Sequence, residues 1–273
     1  MGMSSLLEHP AHKSADKRGI FKGLIVGDSG AGKTGAIASL VDAGYKLKIM
    51  DFDAGLDPLV GYVKDKSKLA NVDFATLRDT FKMRGSYLAV DKAPAYQRGM
   101  ALLQDWDGAG PVQSWDPNTI LVIDTLGRMA RASFNMVLQA NGIISPSGTR
   151  GGPEQSHYGT AMENVERTIS LLTNPDIVPC HVLVNAHWAY QEDGSGILRP
   201  FPETIGNKLN PKVGRDFNNL YSVSVSAGKR SIKVVKDGVI ACKASRPLSK
   251  EQYEIGSGLA DIFLEVVGPH PKG

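Results

Sequence analysis

Eight consecutive residues, Gly27-Asp28-Ser29-Gly30-Ala31-Gly32-Lys33-Thr34, constrain this 273-residue chain more than any other feature. They satisfy G-x-x-x-x-G-K-[ST] in full, and the flanks suit the pattern. A short apolar run, Ile20 to Val26, leads in, and helical spacing from Lys33 to Ala43 leads out until Gly44 ends it. A strand that turns into a helix through glycines presents backbone N–H groups and the positive end of the helix dipole to one point, which makes a cradle for phosphate. Gly27, Asp28, Ser29, Gly30, Ala31, Gly32, Lys33 and Thr34 are therefore the candidate nucleotide-binding residues. Lys33 is expected to reach the β- and γ-phosphates and the Thr34 hydroxyl to ligate Mg²⁺. The acidic side chain of Asp28 is expected to point away from the anion.

Such a loop needs alternating strands and helices around it, and the sequence supplies them. Lys46 to Met50 alternates as a second strand, Val72 to Leu77 is a weaker one, and Pro94 to Trp106 reads as a helix. Thr119 to Asp124 is almost uninterrupted aliphatic, as expected of a central parallel strand covered on both faces. Helical patterns follow at 127–140 and 160–172, separated by a Gly/Ser/Pro-rich loop at 141–155. His181 to His187 is another buried-type strand, and 189–215 reads as a long loop. Three short strands then follow, Tyr221–Ser226, Ser231–Val235 and Val239–Ala244, with turns at Gly228 and at the hairpin-forming pair Asp237-Gly238. The expected fold is α/β, a mostly parallel sheet flanked by helices with a C-terminal antiparallel extension. The expected division is a flexible polar arm at 1–19, one domain at 20–265 and a tail at 266–273.

Composition narrows the setting. With 42% hydrophobic and 22% charged residues the chain is too apolar to be disordered. Cys180 and Cys242 have no metal-site spacing and cannot make a disulfide framework, so a reducing compartment is expected. No apolar run approaches the ~18 residues of a membrane span. The start shows no signal-peptide pattern, and Leu6 stands where a myristoylation signal wants Ser or Thr. A soluble cytoplasmic protein, away from membranes, is the expectation. The net charge of +3 is mild, but residues 201–250 hold ten Lys/Arg against three Asp/Glu. A basic block in a nearly neutral chain suits either a surface facing a polyanion or a solvated edge.

Two carboxylates complete the chemistry. Asp124, at the end of the aliphatic strand, is placed to hold Mg²⁺ together with Thr34, as in P-loop NTPases. Asp53, with Asp51 as second choice, ends the second strand beside the phosphate loop and can orient an attacking water. The alternative for Asp53 and Asp51 is that they cap the loop or touch ribose.

The run Asp51 to Pro58 resembles the corresponding strand and loop of bacterial RecA, in which an acidic residue two positions after the strand's aspartate is the catalytic glutamate. That role falls here on Asp53, with Asp in place of Glu. The pair Asp124-Thr125 resembles the RecA-type Asp-Ser, and Asn185-Ala186-His187 resembles the strand whose last polar residue senses the γ-phosphate, which implies that role for His187. In size and composition the chain is similar to the phage RecA-like ATPases of the Sak type, a minimal RecA core acting in single-strand annealing and recombination, over roughly residues 20–250. The resemblance implies ATP and Mg²⁺, single-stranded DNA, a homo-oligomer, a single-strand DNA-binding protein as further partner, and the host cytoplasm.

It also implies DNA contacts from two loops, 141–156 with Arg150 and 189–215 with Arg199, Lys208, Lys212 and Arg215. Trp188, Tyr190 and Phe201 are interleaved for base stacking. The late hairpin carries Lys229, Arg230, Lys233, Lys236, Lys243 and Arg246. Lys243 and Arg246 are the candidates for a cation reaching the ATP of an adjacent protomer, the alternative being that they belong to the DNA surface. Two other readings compete: a nucleotide-gated DNA-binding or scaffold module with little hydrolysis, and another phage P-loop motor for packaging or unwinding.

Overall fold

Three strands bury every residue they contain: Lys22–Gly27, Thr119–Asp124 and His181–Ala186. Strands without a polar face can lie only inside a sheet covered on both sides. The computed structural model describes residues 19–143, 152–192, 195–236, 238 and 240–270. Nearly all of the expected N-terminal arm, Arg150, and the turn residue Asp237 therefore lie outside the described residues.

In chain order the first half contains β1 (Lys22–Gly27), α1 (Lys33–Ala36), α2 (Ala38–Asp42), β2 (Lys46–Asp51), α3 (Asp57–Tyr62), β3 (Val72–Thr76), β4 (Thr80–Arg84), β5 (Tyr87–Lys92) and α4 (Ala95–Gln104). The second half contains β6 (Thr119–Asp124), α5 (Leu126–Ala140), α6 (Gln155–Thr173), β7 (His181–Ala186), β8 (Trp188–Glu192), β9 (Leu198–Pro202), α7 (Asn210–Val213), β10 (Asn219–Ser226), β11 (Lys229–Lys233), β12 (Gln252–Glu254) and α8 (Gly258–Val267). Eight strands form one sheet in the order β12-β11-β10-β1-β7-β6-β2-β3. The six from β10 to β3 run parallel, and β11 and β12 add antiparallel strands at one edge. The architecture is the expected α/β sheet with its late antiparallel extension.

Period-two alternation splits each strand between two cores. Leu121 and Ile123 of β6 face a cluster with Met129, Phe134, Ile169 and Leu172 from α5 and α6. Ile120 and Val122 face the other, with Leu40 and Val41 of α2 and Ile262, Phe263 and Val266 of α8. One charge sits within this frame. Lys22 is fully buried on β1 and donates to the carbonyl oxygens of Val178 (2.8 Å) and Cys180 (3.0 Å). Burial lowers its pKa to about 8.

Several elements depart from the sequence reading. The helix expected from Lys33 to Ala43 divides at Ile37, where a tighter bond from Leu40 N to Ile37 O replaces the α-helical ladder. The long loop expected at 189–215 contains the β8–β9 ribbon and α7. Pro200 and Pro202 hide β9 from pattern reading, and they are tolerated because a two-stranded ribbon leaves one side of each strand unpaired. Of the strand expected at 239–244, Val239 lies outside the described residues and 240–244 is not in the ladder: Lys243 makes an isolated bridge to Leu220, and β12 takes the place beside β11. The last helix, α8, runs to Val267 and buries Val266 and Val267, so packed chain continues past residue 265.

Candidate nucleotide site

The site lies beyond the carboxyl ends of β1, β2, β6 and β7, where a parallel sheet of this order binds its ligand. At Gly27 a Cβ would stand 2.5 Å from Val223 O on neighbouring β10, so β1 can end there only in glycine. Gly32 has φ +105°, a left-handed conformation that a side chain would strain, and it opens α1.

Lys33 is buried and folds back over its own loop. Its Nζ donates to Gly27 O (2.7 Å) and Asp28 O (2.9 Å) and lies 3.1 Å from His187 Nδ1. An ammonium can only donate, so Nδ1 is the acceptor and the ring proton belongs on Nε2. That Nε2 faces Asp53 Oδ2 at 3.8 Å. Burial lowers the Lys33 pKa, opposed first by the charge of Asp124 and then by those of Asp28, Asp53 and Glu203.

Thr34 Oγ1 donates to Asp124 Oδ2 at 2.7 Å, and Asn185 Nδ2 donates to Asp124 Oδ1 at 3.3 Å. Asp124 is buried, and desolvation raises its pKa against the pull of these two hydrogen bonds. The hydroxyl and carboxylate are hard oxygen donors in contact, which fits Mg²⁺ completed by phosphate and water. Among the described residues, Thr125 Oγ1 and Asn185 Oδ1 beside them are buried without a hydrogen-bond partner, further polar capacity at the same spot.

The two candidate aspartates on the β2 loop occupy different environments. Asp51 Oδ1 accepts from the backbone N of Asp53, Ala54 and Gly55 at 3.1, 2.7 and 3.4 Å, so its carboxylate holds its own loop. Asp53 projects from that loop into the site. Its Oδ1 pairs with Arg128 Nε at 3.1 Å, and its backbone O accepts from Arg78 at 2.6 Å.

Lys33, Thr34, Asp53, Asp124 and His187 share one cleft of about 310 Å³. Tyr62 and Arg230 close its other sides. The Tyr62 ring packs on Gly35, and Arg230 Nε donates to Gly30 O at 3.2 Å. Residues 21–243 match the family model described as an AAA domain.

The chain belongs to the AAA domain family. Its glycine loop is thus the phosphate loop of an AAA-type P-loop ATPase domain. No curated protein matches the sequence. Among solved structures the flagellar accessory protein FlaH from Methanocaldococcus jannaschii is similar at 6% identity and a TM-score of 0.38, over 86% of this chain and 85% of that one.

The other sequence candidates of this AAA domain lie elsewhere. Lys243 Nζ donates to Arg215 O at 3.2 Å, and Arg246 lies near Gly19, at the end of β1 opposite the phosphate loop. Within one chain neither touches the nucleotide cleft. Arg199, Arg215 and Lys243 instead border a second cleft of about 340 Å³ with Trp188 and Phe201, while Lys208, Lys212 and Tyr190 are exposed.

Arg128, Tyr62 and Glu203 were not singled out from sequence, and Arg230 was named only among the hairpin cations, not for this cleft. Arg230 reaches the phosphate loop because β11 lies two strands from β1 through β10. No local pattern encodes that register. Among the described residues no helix is long and apolar enough to cross a membrane.

Proposed function

We propose that this AAA domain is a RecA-like ATPase acting on single-stranded DNA, in the manner of the phage Sak-type proteins it resembles. The observation that carries the hydrolytic reading is the Thr34–Asp124 contact of 2.7 Å, faced across one cleft by Asp53 and His187. In this reading Lys33 gives up its loop carbonyls to bind the phosphates, and Thr34 and Asp124 hold Mg²⁺. The metal would neutralise charge developing on the phosphate oxygens. Asp53 orients the attacking water, and His187, already on Lys33, registers the γ-phosphate. Tyr62 lies along the cleft wall, where its ring can cover part of the nucleotide.

The DNA part of the reading is supported by the cleft that joins three cations to Trp188 and Phe201. Backbone neutralisation beside aromatic surface is what sequence-tolerant binding of single strands requires. A homo-oligomer, with Lys243 or Arg246 approaching the ATP of the next copy, and a single-strand DNA-binding protein as partner belong to the same reading. One observation favours a weaker enzyme, a nucleotide-gated DNA-binding module: Arg128 already occupies one oxygen of Asp53.

ATP turnover with and without oligothymidine, alongside anisotropy of the labelled oligonucleotide across a salt series, tests the reading. Stimulated turnover and a steep fall of affinity with salt are expected. Replacing Lys208, Lys212 and Arg215 together by Ala should flatten that slope. Binding without turnover would leave the nucleotide-gated module, and no binding at low salt with nucleotide present would remove the DNA role.

A further inference from the structure

A second cavity, about 450 Å³, adjoins the nucleotide cleft and shares Ser29, Asp53, Thr125 and His187 with it. Glu203 stands on its wall. The backbone there is fixed twice: Glu203 N donates to His187 O at 2.8 Å, and Thr204 donates from N and Oγ1 to Asn210 Oδ1 at 2.8 and 2.6 Å. The Glu203 side chain passes over Gly127, where an added Cβ would stand 3.0 Å from Oε2 and 3.1 Å from Cδ. Glycine at 127 therefore leaves the carboxylate room to lie against the start of α5. Among the described residues its carboxylate has no hydrogen bond or ion pair, yet its charge acts on Lys33.

Asp53 is different. Its carboxylate is tied to Arg128 and its backbone to Arg78, so it offers a fixed acceptor with little freedom to move. A carboxylate with one oxygen already held by a guanidinium can still orient a water through the other, whereas an unengaged carboxylate has both oxygens open to take a proton. Glu203 is longer by one methylene and unengaged.

We propose that Glu203 is a second catalytic carboxylate, accepting the proton of the water that Asp53 orients; this rests on the ATP-hydrolysing reading above. The water oxygen bonds to the γ-phosphorus as the bridging bond from that phosphorus to the β-phosphate oxygen breaks, and ADP leaves with the electron pair. The water proton passes to a Glu203 oxygen and then to phosphate or solvent.

The test compares the wild type with Glu203→Gln and Gly127→Ala, the second pushing the carboxylate aside without changing its charge. Three quantities are read: affinity for fluorescent ADP, affinity for ADP with magnesium and aluminium fluoride, and single-turnover rate. For Glu203→Gln the expectation is unchanged ADP affinity, a rate lower by roughly 10², and weaker binding of the aluminium fluoride complex. Gly127→Ala should move the last two in the same direction. An active wild type with an equally active Glu203→Gln, or a variant that loses ADP affinity as much as rate, overturns the assignment of Glu203 alone. A wild type that binds ADP and hydrolyses no ATP overturns the hydrolytic reading with it.

Discussion

Replacing Lys22 by Met should change how stability depends on pH while leaving nucleotide binding untouched. The folded protein holds this lysine at a pKa of about 8 against 10.5 for the free side chain, chiefly because burial penalises the charge. The unfolded chain therefore keeps a proton that the folded chain gives up, and stability rises with pH from about 8 toward 10.5. At neutral pH the buried charge costs on the order of 3 kcal/mol, at about 1.4 kcal/mol per pKa unit. Cys180 works the other way. Burial raises its thiol to about 11 from 9.0, so above pH 9 the unfolded chain loses a proton that the folded chain retains and stability falls. The rise should accordingly appear between pH 8 and 9, at about 1 kcal/mol, and flatten beyond. Met relieves the charge but leaves the carbonyls of Val178 and Cys180 without their donor, a loss of about 1–3 kcal/mol each. The two effects oppose, so the diagnostic is the slope rather than the offset. Urea midpoints at pH 7, 8 and 9 give it. A Met variant with the wild-type rise over pH 8–9 would refute the argument. Lys22 lies about 17 Å along β1 from Gly27, so ADP affinity should not change.

Two further substitutions separate the phosphate loop from the metal side. Lys33→Ala should abolish hydrolysis and nucleotide binding while Tm falls by about 2–4 °C at most, because the carbonyls of Gly27 and Asp28 that it releases can turn to water; turnover at the wild-type rate would overturn the site. Asp124→Asn should weaken Mg²⁺-dependent nucleotide binding without lowering stability at neutral pH. The raised pKa means that ionised Asp124 opposes folding above its free value, and that loss with rising pH should vanish in the variant. Titration of nucleotide with and without Mg²⁺, beside melting curves at pH 5 and 7, checks both halves.

What the sequence disclosed follows from how local each signal is. The phosphate loop is contiguous, and β6 and β7 are mostly aliphatic because both faces are covered. Two missed elements carried readable patterns. Leu259, Ile262, Phe263 and Val266 of α8 have helical spacing, and Phe81-Lys82-Met83-Arg84 alternates into Gly85, whose φ of +61° makes the β4–β5 turn. The β9 strand was hidden for a different reason, since Pro200 and Pro202 are strand-breaking in any single-sequence reading.

The wall of the cleft is a harder case. Asp53 meets Arg128 across 75 residues and His187 across 134, and Arg230 meets Gly30 across 200. Each contact depends on which strands became neighbours, a property of the whole sheet. The Asp51 and Asp53 pair illustrates the limit: both lie on one loop with the same chemistry, and sequence alone permitted either to face the water. The turn decides between them. With Ala54 at φ +53°, the backbone N–H groups of residues 53 to 55 close on Asp51, and Asp53 is left to project into the cleft. The loop conformation thus commits the Asp51 carboxylate to holding the loop and leaves that of Asp53 in the cleft. The same logic separates Asp53 from Glu203: a guanidinium fixes the first, and a bare glycine leaves the second free to move.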